Sequence, residues 1–136
     1  MFHFSQTSRD RMVGVNQDLL AVASLAIQIT KVDFGIPELG GVRTTEEQNT
    51  LYLNGKSKAD GKMDMSRHQS GDALDFYAYV DGKASWQEDH LAMVACAFLQ
   101  SASMLNVSLS WGGMWSSNKT TNGIPYGWDM AHIEIG

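Results

Sequence analysis

Apolar residues recur at three- and four-residue steps near the start of the chain, between positions 9 and 30. The residues of this stripe are Met12, Val15, Leu19, Val22, Ala26 and Ile29. This spacing places side chains along one face of an α-helix, because a helix turns once every 3.6 residues. The pattern therefore predicts one helix over residues 9–30.

Two further helices are predicted from capping patterns. Residues 44–55 begin with a threonine followed three positions later by a glutamate, and they end with an asparagine–glycine pair. A threonine and a glutamate at this spacing form a capping box, and glycine is common just after a helix. Ser85 and Glu88 repeat the spacing, and an apolar run over residues 90–105 follows. We predict a short second helix and a longer, largely buried third one.

Short segments between the helices suit β-strands, because they are rich in β-branched, aromatic and other apolar residues. The candidate strands are residues 40–43, 73–80, 107–111 and 131–135. Helices and strands do not alternate regularly, so we predict an α+β fold with a small antiparallel sheet and flanking helices.

Two long segments, residues 54–72 and 112–128, are predicted to be functional loops. The first is polar, and the second contains four glycines and several aromatic residues. Trp115, Tyr126 and Trp128 in the second loop suit either a local packing cluster or the wall of a groove.

Composition limits the classes of function. The 136 residues fit one domain, which we predict to span residues 1–136. The net charge is -5, from 10 basic and 15 acidic residues, and no basic run is present, so nucleic acid is not an expected partner. No stretch reaches the roughly 18 apolar residues of a spanning helix, so stable membrane insertion is not expected. The first residues lack a hydrophobic signal segment, and we expect a monomer made in the cytoplasm.

A histidine and an aspartate lie seven positions apart around a predicted strand. His68 precedes the strand over residues 73–80, and Asp75 lies on it. Because side chains alternate along a strand, Asp75 points away from the face of Leu74 and Phe76, which suit the core. Asp75 is therefore expected on an open face, within reach of the loop that carries His68.

The last predicted strand, residues 131–135, shows the same alternation. His132 and Glu134 share one face, and three apolar residues share the other. If this strand neighbours the one that carries Asp75, then His68, Asp75 and His132 can converge and leave a fourth position for water. Two imidazoles and a carboxylate are a ligand set of catalytic zinc sites, so we predict one zinc ion here.

Two acidic residues near His132 suit supporting roles. Asp129 lies three positions before His132, where the chain leaves the glycine-rich loop, and is a candidate general base. Glu134 lies two positions after His132 and is a candidate to orient a metal ligand from outside the ligand set. Each residue alone is weak evidence, since a lone histidine is more often a surface group or a satisfied core group.

Three blocks of the sequence together resemble a known family. They are Gly41-Val42-Arg43-Thr44-x-x-x-Gln48, Ser66-x-His68-x-x-Gly71-x-Ala73-x-Asp75 and Asp129-x-x-His132-x-Glu134. The last two resemble the signatures of the zinc D-Ala-D-Ala carboxypeptidase and L-alanyl-D-glutamate endopeptidase family, and the first is similar to its strand-to-helix segment. The resemblance extends from about residue 10 to the end of the chain.

The resemblance implies a small α+β fold of the hedgehog/D,D-peptidase type and a role for each matched residue. His68, Asp75 and His132 would bind zinc, and Asp129 would be the catalytic base. Arg43 would hold the substrate carbonyl or carboxylate and stabilise the oxyanion as charge develops, so it is both a catalytic and a substrate-binding candidate.

Gln48 and Ser66 are further substrate-binding candidates by the same resemblance. Arg43 also has a simpler interpretation, as a solvated arginine at a helix start.

Asp129 also indicates the branch of the family. Many of the carboxypeptidases have glutamate here, whereas the phage endolysins that this chain resembles often have aspartate. The short chain without a signal peptide or wall-binding domain is similar to phage lysis enzymes of Gram-negative hosts. Such an enzyme is expected in the host cytoplasm, from which a separate protein releases it through the membrane. It would hydrolyse the L-alanyl-D-glutamate bond of peptidoglycan stem peptides and lyse the host cell wall.

Two alternatives remain open. The same site could cut D-Ala-D-Ala, which would require a free carboxylate beside the scissile bond. The chain could instead be a zinc-containing binding module without hydrolytic activity. Asp129 argues against the binding module, because a structural zinc needs no nearby base and usually takes four protein ligands.

Overall fold

The computed structural model of the chain describes residues 1–115, 120–121, 124–125, 127 and 129–136. Its helices are α1 (Gln6–Arg11), α2 (Gln17–Ile29), α3 (Thr45–Leu53) and α4 (Glu88–Met104). Its strands are β1 (Asp33–Gly35), β2 (Ala73–Asp75), β3 (Tyr77–Val80), β4 (Lys83–Ser85), β5 (Leu109–Trp111), β6 (Thr120–Thr121), β7 (Ile124–Pro125) and β8 (His132–Ile135). Helices combined with small antiparallel sheets confirm the predicted α+β class. None of the described helices has the length and apolar character needed to cross a membrane.

Two three-stranded antiparallel sheets form the framework, in the orders β1-β3-β4 and β2-β8-β5. In the second sheet β8 is the middle strand, and it places His132 opposite Asp75 and Glu134 opposite Ala73. Directly opposed residues of an antiparallel pair project to the same face. The pairing of β2 with β8 therefore puts Asp75 and His132 side by side, as the metal prediction requires.

The core lies behind this face of the second sheet. Leu74 of β2 and Ile133 of β8 have no solvent exposure, and α2 packs against α4 over the same core. Phe34, Phe76 and Phe98 add a cluster of ring contacts with centroids 4.9 to 6.4 Å apart. Each fully buried side chain of this kind contributes about 1.5–3 kcal/mol to folding, so β2 and β8 are held firmly from behind.

The single helix predicted over residues 9–30 is wrong, because α1 and α2 are separate. Gly14 lies between them with a φ of 86°, and the side chain of Asn16 caps α2 by accepting from the N–H groups of Asp18 and Leu19. Met12 and Val15, the residues of the apolar stripe that lie in the break, are still buried, which is why the apolar spacing runs through it. Periodicity reports which side chains face the core, and a turn can preserve that pattern.

The two predicted capping boxes have different outcomes. Thr44 and Glu47 form both hydrogen bonds of the box, which confirms the start of α3. The prediction for Ser85 and Glu88 is wrong, because α4 begins without a side-chain cap. The hydroxyl of Ser85 instead lies 2.6 Å from Nδ1 of His90 and accepts from the N–H of Gln87 at 3.4 Å, so its partners are not those of a capping box.

The strand predictions hold in part. Residues 73–80 form β2 and β3, which are separated at Phe76, and β5 and β8 lie within residues 107–111 and 131–135. Residues 40–43 are not a strand, and the three-residue strands β1 and β4 were not predicted. Of the aromatic residues in the second predicted loop, Tyr126 and Trp128 lie outside the described residues.

Candidate metal centre

The structure brings three predicted ligands to one point. Nε2 of His68 lies 3.2 Å from Oδ1 of Asp75, and Nδ1 of His132 lies 3.0 Å from the same oxygen. The two ring nitrogens are 3.3 Å apart. Both histidines are buried, and the face of Asp75 that they share opens to a cavity. Three donor atoms from a loop and two paired strands therefore surround a common centre.

The outer nitrogen of each imidazole is held by an acceptor. Nδ1 of His68 lies 2.9 Å from the carbonyl oxygen of Gly41, and Nε2 of His132 lies 2.9 Å from Oε1 of Glu134. A carbonyl can only accept, so Nδ1 of His68 carries a hydrogen, and the Glu134 carboxylate favours a hydrogen on Nε2 of His132. In the neutral rings the other nitrogen then presents its lone pair to the centre, as in many metal sites. Two nitrogens and one carboxylate oxygen arranged in this way fit one divalent metal ion with an open coordination position.

The backbone of residues 40–43 supports this ligand set. The N–H of Asp75 donates to the carbonyl oxygen of Gly40 at 2.8 Å, and the N–H of Arg43 donates to the carbonyl oxygen of His68 at 3.1 Å. The backbone hydrogen bonds of residues 40–43 thus go to two different parts of the chain, at Asp75 and at His68, so they do not form the continuous pairing of a β-ladder. This explains why the segment is not a strand, although its composition suits one.

Arg43 is held against the metal centre by every nitrogen of its guanidinium. Nη2 lies 2.9 Å from Oδ2 of Asp75, Nε donates to the carbonyl oxygen of Leu39 at 2.7 Å, and Nη1 donates to Oε1 of Gln48 at 3.0 Å. The arginine also lines the cavity, with 11% of its side chain exposed. The simpler interpretation, a solvated arginine, is wrong. Arg43 fixes the second oxygen of Asp75, while its remaining N–H groups stay available to the cavity.

Gln48 and Ser66 lie in different environments. Gln48 has no solvent exposure, and its amide nitrogen donates to Oγ of Ser57 and to the carbonyl oxygen of Ala59, each at 2.8 Å. The substrate contact of Gln48 stays a prediction; in this structure both polar atoms of the buried side chain are engaged, and Gln48 is not among the residues that line the cavity. Ser66 does line the cavity, and its hydroxyl accepts from the N–H of His68 at 3.2 Å.

Asp129 lies at the edge of the ligand set. Its Oδ2 is 4.0 Å from Nδ1 of His132, and the side chain is about one-third exposed, at 36%. Burial raises the pKa of the Asp129 carboxyl, and the charge of Asp75 adds to this, although His132 opposes it. A carboxylate made more basic and placed beside a metal centre is well suited to accept a proton.

The pKa values of Asp75 and His132 show that the site stabilises positive charge. Burial alone would raise the pKa of Asp75, but hydrogen bonds with His132 and His68 outweigh it and hold this pKa well below its usual range. Burial would lower the pKa of His132, but Asp75 and Glu134 outweigh it, so the pKa is raised.

A cavity of about 430 Å³ opens over the centre. Sequence reasoning did not single out three charged side chains that line it, namely Lys56, Lys58 and Arg67. Trp115 lines it as well. The ring of Trp115 lies 5.1 Å from that of His132, which selects the groove-wall role for this tryptophan. Lys56 and Lys58 follow no sequence pattern that indicates a site, because they lie in a polar loop without periodicity.

Comparison with known proteins gives the family. The family described as phage L-alanyl-D-glutamate peptidase matches residues 1–135 of the chain. The chain belongs to this family. It is 32% identical to the L-alanyl-D-glutamate peptidase of Escherichia phage T5, over 98% of each protein.

Solved structures agree with this assignment. The L-Ala D-Glu endopeptidase ChiX of Serratia marcescens is similar with a TM-score of 0.80 and 28% identity, over 98% of this chain and 90% of ChiX. The LD-carboxypeptidase LdcB is similar with a TM-score of 0.52 and 18% identity, over 95% of this chain and 69% of LdcB. The likeness to LdcB concerns the fold, and together these structures support the predicted D,D-peptidase-like architecture.

Proposed function

We propose that this chain is an endolysin that hydrolyses the L-alanyl-D-glutamate bond of peptidoglycan stem peptides with one zinc ion. Membership of the family supports the bond, and similarity to ChiX supports it independently. The observation that carries the metal is the convergence of His68, Asp75 and His132 while their outer atoms are held by other groups.

When bound, a divalent ion at this centre supplies Lewis-acid polarisation and activates water near neutral pH. The protein's own groups would then divide the remaining work. Asp129 takes the proton of the attacking water and returns it to the leaving amine of D-glutamate. Arg43 directs its remaining N–H groups at the oxygen on which negative charge develops. Ser66 is proposed as a further substrate contact at the cavity wall.

The oligomeric state and route to the wall belong to the same proposal. We propose that residues 1–136 act as one catalytic domain and as a monomer, since each of the described site residues comes from this one chain. The protein would be made in the host cytoplasm and would reach peptidoglycan after a separate factor opens the membrane.

Mass spectrometry of digested peptidoglycan tests the proposed reaction. Purified peptidoglycan is incubated with the zinc-loaded protein, and the products are searched for a new amino-terminal D-glutamate. The expected result is this product with the wild-type protein and its absence with Asp129→Ala. Release of terminal D-alanine would instead indicate a carboxypeptidase, and no product with zinc bound would indicate a binding module.

A further inference from the structure

The cavity over the metal centre concentrates basic residues in an acidic protein. Four of the ten lysines and arginines line it, namely Arg43, Lys56, Lys58 and Arg67. Its acidic lining residues are Asp75, Asp129 and Glu134, so the lining has a formal charge of about +1 with neutral histidines, whereas the chain has -5. Positive charge at this one place indicates a ligand that carries negative charge.

The two arginines already have partners among these carboxylates. Arg43 pairs with Asp75 at 2.9 Å, and Nε of Arg67 lies 3.8 Å from Oε2 of Glu134. Among the residues that the structure describes, no carboxylate lies within ion-pair distance of Lys56. Lys56 therefore lines this cavity with a charge that no described carboxylate neutralises.

The segment that carries Lys56 and Lys58, residues 55–59, is here called the basic wall. It is tied to the metal centre through one buried side chain. The amide nitrogen of Gln48 donates to Ser57 and Ala59 in the wall, while its oxygen accepts from Arg43, which in turn holds Asp75. The wall therefore keeps a fixed position relative to the metal ligands.

The end of the wall is fixed as well. Oδ1 of Asp60 accepts hydrogen bonds from the N–H groups of residues 62, 63 and 64, at 2.9 to 3.0 Å. The side-chain nitrogen of Asn49 in α3 donates to the carbonyl oxygen of Asp60 at 3.0 Å. A backbone held in this way restrains where a lysine can place its charge, so less freedom is lost when a ligand binds.

The substrate of the proposed reaction carries a suitable negative group. A D-glutamate residue has two carboxyl groups, and the peptide chain continues through only one of them. The other stays a few bonds from the scissile nitrogen unless it is amidated. The carboxylates of Asp75 and Asp129 would repel that group, so a nearby cation is needed to accept it.

We propose that Lys56, with Lys58 beside it, binds the free carboxylate of the D-glutamate residue and so selects acidic over amidated stem peptides. This inference rests on the proposed function, because it takes its ligand from the L-alanyl-D-glutamate bond.

Two matched peptides test the selection. Both contain N-acetyl-L-alanyl-D-glutamate extended through the γ-carboxyl by alanine amide, and they differ only in an α-carboxylate or an α-carboxamide. Wild-type protein is expected to cleave the acid with a kcat/KM roughly twofold to fivefold higher, the range of one partly exposed ion pair. Equal kcat/KM values for the two peptides would overturn the inference.

Variants locate the discrimination in the wall. K56Q, and more fully K56Q/K58Q, is expected to lower kcat/KM for the acid far more than for the amide, mainly through KM, while K56R restores the preference. Lys62 lies nearby and does not line the cavity, so K62Q makes the same charge change as a control and keeps the preference. Equal losses on both peptides, or a preference that survives in K56Q/K58Q, would overturn the role of the lysines.

Product binding separates this inference from the proposed reaction. Calorimetry with D-glutamyl-γ-alanine amide and its α-carboxamide form measures recognition without hydrolysis. Tighter binding of the acid that is lost in K56Q supports the wall even if neither peptide is cleaved, an outcome that would refute the reaction alone. Cleavage of both peptides without any such difference in binding would refute the wall alone.

Discussion

Asp129 and His132 are neighbours in space, yet the proposed mechanism asks different things of them. His132 must bind the metal, whereas Asp129 must exchange a proton, and its Oδ2 lies 4.0 Å from the imidazole. A substitution that removes basicity while keeping shape should therefore separate catalysis from metal binding.

Asp129→Asn is expected to lower kcat by about 10²- to 10⁴-fold, the usual contribution of a positioned base. The zinc content should stay at one ion per chain, because Asp129 is outside the ligand set. Hydrolysis of the acid peptide and metal analysis of the same sample check both statements. Loss of zinc together with activity would show that Asp129 acts as a ligand instead.

Glu134→Gln tests the support of His132. An amide holds the outer N–H of the imidazole less strongly than a carboxylate does, so zinc affinity should fall about 10- to 100-fold. Competition with a chromophoric chelator measures the affinity. Glu38→Gln provides the control, since Glu38 is exposed and does not line the cavity. Equal affinity in both variants would contradict a supporting role for Glu134.

For single residues, the sequence indicates the candidate metal ligands better than the residues around them. Asp75 and His132 lie on strands whose alternation indicates an open face, and the family pattern adds His68. Gln48 and Lys56 act through contacts made by folding of an irregular loop. No periodicity in the sequence reports such contacts, so the sequence predicts a substrate contact for Gln48 and indicates no role for Lys56.

Among the elements, α3 links local sequence to the site. Its amino terminus is capped by Thr44 and Glu47. The side chain of Gln48, within the helix, forms hydrogen bonds with both the basic wall and Arg43. Capping at the start of α3 thus contributes to the position of cavity residues.

Thr44→Ala is expected to destabilise the fold by about 1 kcal/mol, because the N–H of Glu47 at the start of α3 loses the Thr44 hydroxyl that accepts its hydrogen bond. Thr50→Ala in the same helix is the matched control and should be neutral or slightly stabilising, since Thr50 is exposed and alanine favours helix. Urea denaturation measures both free energies of unfolding. Equal values for the two variants would argue against the cap.

Element prediction succeeds where the information is local. The capping box of α3 and the alternation in β2 and β8 are written in consecutive residues, and the structure confirms those elements. The break near Gly14 involves distant partners, because Asn16 donates to the carbonyl oxygen of Gly71 and to the carboxylate of Asp72. The failed cap at Ser85 depends on the ring of His90. The strands β1 and β4 contain no β-branched residue, so their sequences do not indicate a strand.

For the whole molecule, metal binding and stability should depend on each other. A ligand that binds only the folded state stabilises it by about 2.7 kcal/mol at a free concentration 100 times Kd. Zinc should therefore raise Tm, and a chelator should remove the increase. Calorimetry with and without zinc measures it, and an unchanged Tm at saturating zinc would contradict a site formed by folding.

The increase in Tm that zinc produces should also depend on pH. The pKa of His132 is raised, so a proton occupies the metal-facing nitrogen up to a higher pH than in an ordinary histidine. Zinc must displace that proton, and the Tm increase should shrink as the pH falls through this pKa. Calorimetric scans at a series of pH values check the trend, and an increase that grows towards low pH would contradict it.

The pairing of β8 with β2 has one more consequence. His132 and Ile133 are consecutive, and they face the cavity and the core respectively. A slip of one residue would exchange them, so the imidazole would enter the core and the isoleucine would replace it at the metal. A metal ion would therefore be retained only by molecules in which β8 and β2 have the correct alignment, so binding would favour that register during folding.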